Sequence, residues 1–398
     1  MTNPPDHLQR SQVADAAADA LEWAVRFGLK PALVGFDGFI DAIIDVVDQR
    51  RDMSAAGYSR FRTIQEFAIR AASAAGKSSN MELVVKEERF GGNGPLLAGA
   101  LGQLGMPVTY IGAVGREDNP RELHPLYAEL KARCRAVIPL APPAHTDALE
   151  FDDGKIMLGK PANVQSITWD MLVTTVGLES LLDLVGSCAL IGIVNWVMMG
   201  GVEGIWSGLC RDVLPRLAKT APDQRRFFID LADPAKRTDT DILRALSILR
   251  EVSQHAPVTL GLNLSEAQRL SAVLGVNAFA EGGMGTLGSV VKHGAAAIRE
   301  LTALDCVVIH PREGAGAVDA RGHSAWFEGP FTSTPKLSTG AGDHFNGGFA
   351  LGQVHGLSLD QCLAVGCAVS GAYVRDARSP TLARVVEFLR DLPVPESH

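Results

Sequence analysis

The chain has 398 residues, 46% of them hydrophobic and 21% charged, and a formal net charge of −8. That is enough apolar surface for a large core, and the length allows two or three domains or one large α/β domain with insertions. The acidic balance argues against a general nucleic-acid binder, because neutralising a phosphate backbone needs a basic face.

The first ten residues read as a loosely attached tail, without the basic-then-apolar order of a signal peptide. Residues 11–28 read as a helix that Ser11 caps and Gly28 ends. Short apolar runs follow at "PALVGF", "VTYIGAVG", "CALIGIVN", "RFFIDLAD", "VTLGLN" and "DCVVIHP", each suited to a buried strand. Helical patterns lie between them, among them "GPLLAGALGQLG", "GIWSGLCRDVLPRLAKT" and "DTDILRALSILREVSQH". This alternation predicts a mostly parallel sheet covered on both faces. Residues 37–48, 79–92 and 147–170 break the rhythm with strand-like alternation and an Asp153–Gly154 turn, and they read as a small β lid. No apolar run approaches the roughly 18 residues of a membrane span. The six cysteines form no C-x-x-C pair, and several lie in apolar runs. A cytoplasmic protein with reduced thiols and no membrane or nucleic-acid partner is expected.

Near the C-terminus, "KLSTGAGDHFNGGFALG" (336–352) packs glycines around Asp343 before an apolar-periodic helix. Unpaired N–H groups and the helix dipole favour an anion at such a turn, and glycine lets a phosphate approach the backbone. On these words alone a plain turn with a dipole-complementing aspartate fits better. The order of the other motifs reverses that balance. "VGFDGFIDAI" offers Asp37 and Asp41 at a strand end, and a carboxylate accepts two hydroxyl hydrogen bonds at once. "RFGGNGP" is a Gly91-Gly92-Asn93 turn before a helix, "VNWV" places Asn195 at another strand end, and "FFIDLADPAKR" carries Asp230 and Asp233. "GLNLSEAQRL" contains Asn263-x-x-Glu266, an oxygen pair for Mg²⁺ or the start of a capped helix. Gly76-Lys77-Ser78 is a decoy for a Walker A motif, since Ala71 stands where that motif needs glycine.

Taken together, the S-T-G-A-G-D-x-F-x-x-G run and the motifs before it resemble the ribokinase, or PfkB-type, carbohydrate kinases from about residue 33 to 390. The resemblance implies a three-layer α/β/α sandwich with a β lid, as one kinase domain over 33–398 behind an N-terminal tail and helix at 1–32. It implies transfer of a phosphoryl group from ATP to a hydroxyl of a sugar or sugar-like molecule. Gly340, Ala341 and Gly342 become the anion hole and Asp343 the base. Asp41, Asp37, Gly91, Gly92, Asn93 and Asn195 fall on the acceptor side. Thr339, His310, Arg312, Gly314 and Asn263 fall on the nucleotide side, and Glu266 with Asn263 steadies Mg²⁺ through water. The lid is a candidate homodimer face by the same analogy. Leu96 stands where the family often has Asn, and Leu337 where an Asp helps hold a monovalent cation in some members, so sugar specificity and K⁺ dependence stay open. A nucleoside or vitamin-precursor kinase of the same fold, or a sensor without turnover, remains an alternative.

Overall fold

The computed structural model describes residues 6–217, 225–279 and 285–397. Fourteen strands are found there in chain order. They are β1 (Ala32–Phe36), β2 (Phe39–Arg50), β3 (Tyr58–Arg60), β4 (Leu83–Gly91), β5 (Val108–Gly112), β6 (Ala136–Pro139), β7 (Ala144–Phe151) and β8 (Gly154–Lys160). The later ones are β9 (Leu190–Val194), β10 (Arg226–Asp230), β11 (Val258–Leu262), β12 (Cys306–Ile309), β13 (Gly314–Asp319) and β14 (Ser324–Glu328).

Nine of these strands form the main sheet in the order β14-β13-β12-β11-β10-β9-β1-β5-β6. All neighbours are parallel except at the β12–β13 and β13–β14 edge, which is antiparallel. The central strands β1, β5, β9 and β11 are buried at every position because both faces are covered. Side chains alternate across the pleat: Leu33, Ile191, Ile193, Phe227 and Ile229 pack on one side, and Val34, Leu190, Val194 and Phe228 on the other. Three layers result, as expected for the ribokinase-like sandwich.

The N-terminal helix begins at Asp6 rather than Ser11 and runs to Arg26. Ala14, Ala17, Ala18 and Leu21 are buried in one core cluster with Phe388 and Leu389, so this helix packs into the sandwich. The expected helix "GIWSGLCRDVLPRLAKT" is α-helical only over Val202–Gly208, then loosens into a π-turn and a 3₁₀ turn that ends at Arg216; its last three residues lie outside the described residues.

The second sheet runs β3-β2-β7-β8, with β4 also paired to β2. Four of its five strands, β2, β4, β7 and β8, fall on or overlap the three segments read as a lid, although the third stops being strand at Lys160 and turns helical at Ala162 and again at Trp169. Phe151 pairs with Gly154, so Asp152 and Asp153 form the turn. The sequence reading did not anticipate β3 or the helix Ile64–Ala72. The helix sets Ile64 and Phe67 on a small separate core of Ala42, Ile44, Val46, Phe61, Leu149 and Phe151, and Phe61 of that core directly follows β3.

Candidate active site

The helix Ala341–Val354 follows a turn in which Gly340 takes φ +88°, a left-handed conformation that favours glycine. A Cβ there would come within 3.1 Å of the Tyr373 hydroxyl and 3.3 Å of Leu96. Leu96 therefore closes against the turn. Asp343 is buried in the first helical turn. Burial raises its pKa well above the usual carboxylate range, and the Asp230 carboxylate adds to the shift. The Ala341 N–H closes a local turn on the Ser338 carbonyl at 3.2 Å.

Two motifs 250 residues apart meet at this carboxylate: Asn93 Nδ2 donates to Asp343 Oδ1 at 3.1 Å. Asn93 and Gly94 open the helix Asn93–Gln103, and their N–H groups would otherwise lack partners. Both donate to the Asp37 carboxylate, at 3.0 and 2.7 Å. Asn195 Nδ2 adds a third bond to it at 2.6 Å. Asn195 reaches it from a left-handed backbone, φ 65°, which Asn tolerates better than most residues. Asp37 is fully buried, and its pKa is pushed up to about 6 by desolvation against the pull of those donors. Gly92 takes φ +97° and a Cβ on it would meet Asp37 Oδ2 at 3.1 Å; one on Gly91 would collide with Asp41. These two glycines let the Gly-Gly turn sit against both aspartates.

Asp41 lies on β2, directly across from Arg89 on β4. Asp41, Arg89, Leu96, Lys155, Leu337 and Thr339 line one pocket between the second sheet and the glycine turn. Lys155 Nζ is 3.5 Å from the Thr339 hydroxyl. Lys86 is elsewhere, 3.9 Å from Asp45. Burial raises the Asp41 pKa, opposed by a bond from Thr146 and by Arg89 and Lys155.

On the other side, Asn263 and Glu266 form a reciprocal capping box at the start of the helix Leu264–Val273, with bonds of 2.8 and 3.0 Å. The structure thus shows this pair capping a helix. Glu266 is buried, and desolvation together with the Asp230, Asp233 and Asp343 carboxylates raises its pKa. Asp230 accepts from Asn346 Nδ2 at 2.7 Å and from the Ala232 N–H at 2.7 Å. His310 lies in the loop that follows β12 and is half-buried. Its ring packs on Phe345, 4.7 Å between centroids, and burial pushes its pKa down to about 4. Its Cε1 lies 3.4 Å from where a Cβ on Gly342 would be. Arg312 is exposed and its guanidinium lies over Phe331 at 5.1 Å, while Gly314 begins β13. Among the described residues, Asn195 Oδ1, Trp206 Nε1, His310 Nε2 and Asn346 Oδ1 are buried without a hydrogen-bond partner.

A model of the prokaryotic ketohexokinase family matches residues 10–392. The chain belongs to that family. It is 30% identical over 393 residues to a ketohexokinase of Haloferax volcanii, covering 98% of this chain and 97% of the relative. Phosphofructokinase-2 from Escherichia coli, solved in complex with potassium, shares the fold at a TM-score of 0.60 and 15% identity, over 91% of this chain and 99% of that one. Arabidopsis thaliana ribokinase, complexed with ribose and ATP, does so at 0.57 and 16%, again over 91% and 99%. This ketohexokinase-family chain is therefore a sugar kinase, a phosphotransferase with an alcohol group as acceptor. All six cysteines are free thiols, and among the described residues no helix is long and apolar enough to cross a membrane.

Several site residues escaped the sequence reading. Asn346, Lys155, Tyr373, His344 and Ser379 all contact the glycine turn, its neighbours or its supports. Only His344 carried a local signal: it stands four residues after Gly340 at a helix start, where a side chain can return to the i−4 carbonyl.

Proposed function

We propose that this chain transfers the γ-phosphoryl group of ATP to a hydroxyl of a ketohexose, with Asp343 as the base. The bond from Asn93 to Asp343 is the observation that carries the reading, because it joins the acceptor-side turn to the phosphate-side turn at one carboxylate. The hydroxyl oxygen attacks phosphorus as the bond to ADP breaks, and the hydroxyl proton passes to Asp343. The Gly340, Ala341 and Gly342 backbone, at the positive end of a helix, stabilises the moving phosphoryl group. Asp37, Asp41, Gly91, Gly92, Asn93 and Asn195 hold the acceptor. Thr339, His310, Arg312, Gly314 and Asn263 serve the nucleotide, with the unpartnered His310 Nε2 available to an anion at Gly342.

Mg²⁺ fits the donor chemistry. Glu266, Asp230 and Asp233 are hard oxygen donors whose mutual repulsion a cation relieves. Among the described residues no group of three His, Cys, Asp or Glu forms a ready cage. Glu266, with Asn263 through water, would hold the ion alongside phosphate oxygens, the arrangement Mg²⁺ prefers. When bound, the ion supplies charge neutralisation on the phosphates.

A monovalent cation does not fit beside the turn. Leu337 offers no side-chain oxygen, and the Val374 carbonyl already accepts the Lys336 and Leu337 N–H groups at 2.9 and 3.3 Å. Turnover is expected to be the same in potassium, sodium and tetramethylammonium salts at equal ionic strength. Several-fold activation by potassium alone would refute this.

The reading is tested by ATP consumption across ketohexoses, aldohexoses, pentoses, hexose phosphates and nucleosides, with Asp343→Ala as control. Turnover on ketohexoses that the control lacks supports it. Turnover on nucleosides alone rejects it, and so does substrate binding with no turnover across the whole panel.

A further inference from the structure

We propose that His344 is a positioning residue that holds the Gly340–Ala341 peptide of the glycine turn in register through its imidazole. The inference rests on the kinase reading above and adds a part to it.

The imidazole is buried, and its two nitrogens are both engaged. Nδ1 is 2.7 Å from the Gly340 carbonyl oxygen, and the His344 backbone N–H donates to the same oxygen at 3.1 Å. A carbonyl can only accept, so Nδ1 carries the proton and Nε2 is an acceptor. The Ser379 hydroxyl, 2.9 Å away, then donates to Nε2. Arg133 Nη1 donates to the Ser379 oxygen at 3.1 Å. Donation runs in one direction from Arg133 through Ser379 and His344 to Gly340. The ring also stacks on Tyr373, 3.6 Å between centroids and 16° between planes. The Tyr373 hydroxyl donates to the Thr339 carbonyl at 2.7 Å.

Two successive carbonyls of the turn are therefore held from behind. A peptide unit is planar, with its C=O and N–H pointing opposite ways. Holding the Thr339 carbonyl fixes the direction of the Gly340 N–H, and holding the Gly340 carbonyl fixes that of the Ala341 N–H. Gly340 needs such a brace. It takes φ +88°, caps the helix without a side-chain bond, and has wide backbone freedom of its own. The Ala341 N–H so directed donates to the Ser338 carbonyl at 3.2 Å, and a flip of this peptide would break that turn and shift the glycine-turn N–H groups on either side of it. His344 is 1% exposed and faces Tyr373 and Ser379, so it acts on the phosphate only through the turn.

The test compares wild type with His344→Phe, His344→Asn and Ser379→Ala, measuring kcat, sugar KM and thermal midpoint on the ketohexose that wild type phosphorylates. Phenylalanine keeps the ring and its stack but neither nitrogen. Asparagine puts an amide N–H where Nδ1 stands. His344→Phe is expected to lower kcat by about 10–100-fold, the scale of a small misplacement of catalytic groups, with little change in KM. His344→Asn is expected to recover most of that loss. Wild-type kcat in His344→Phe overturns the proposal, as does an Asn variant no faster than the Phe variant, or a loss that lies in KM. Should His344→Phe fail to fold, Ser379→Ala decides: a lower kcat at an unchanged midpoint supports the proposal and a wild-type kcat overturns it. A wild type that phosphorylates no sugar overturns the kinase reading and this inference with it. An active wild type matched by an active His344→Phe overturns this inference alone.

Discussion

Replacing Asp343 with alanine lowers kcat by about 10²–10⁴-fold, the usual scale for a lost general base, while the sugar still binds. The variant does not lose stability in proportion. Asp343 is buried beside the Asp230 carboxylate, and both effects oppose its ionised form. A folded pKa above the unfolded one means that the ionised group opposes folding at neutral pH. Deleting it removes that cost, and the thermal midpoint at pH 8 is expected to hold or rise as turnover collapses. The same raised pKa sets the pH profile. A base works deprotonated, so kcat/KM of wild type climbs as pH rises through the Asp343 titration, above the ordinary aspartate range. Near-wild-type turnover in the alanine variant would refute the assignment of the base. A flat profile from pH 5 to 8 would refute the raised pKa.

Replacing Asp37 with alanine attacks the fold and the acceptor side together. Three donors lose their acceptor: the N–H groups of Asn93 and Gly94 and the Asn195 amide. Each buried donor left unpaired costs about 1–3 kcal/mol, and two of these also anchor a helix start. Relief of the buried charge offsets part of this, so the net loss in urea unfolding is expected at about 3 kcal/mol. The pH dependence separates the two effects. The folded pKa of Asp37 is raised to about 6, so its contribution to stability is full below the unfolded aspartate pKa and is lost as pH rises through about 6. The stability gap between wild type and variant should widen as pH falls from 7.5 to 5. A gap that narrows instead would mean that the three donors stabilise the anion more than burial opposes it.

The central layers were legible because they obey local rules. Buried strands alternating with helical patterns specify a covered parallel sheet, and β1, β5, β9, β10, β11 and β12 fall on the apolar runs. The glycine turn was legible as a motif because its residue types are dictated by backbone geometry. Gly340 in a left-handed conformation is one such case. What escaped depends on pairs distant in sequence. Asn346 meets Asp230 across 116 positions, and His344 meets Ser379 across 35. Such pairs have no period and no composition bias. The helix Ile64–Ala72 was missed for a different reason: it is nine residues long and sets only Ile64 and Phe67 on the small core, so its apolar stripe is short. Asn263 and Glu266 meet in a capping box, so the helix end uses the same pair that the sequence offers as oxygen donors.

Between β1 and β2 the chain changes sheets within two residues. The chain leaves the main sheet after Phe36 and enters the second sheet at Phe39. Only Asp37 and Gly38 lie between, and Gly38 is packed so tightly on the Ala113 carbonyl that a Cβ would stand 1.9 Å from that oxygen. Asp37 is therefore anchored to the large body, whereas Asp41, four positions on, travels with the small one. The two carboxylates proposed to hold the acceptor are thus carried by different sheets, one on each side of a two-residue step. On that proposal, any displacement of the small sheet relative to the large one would change the distance between the two carboxylates directly, with no element in between to take it up.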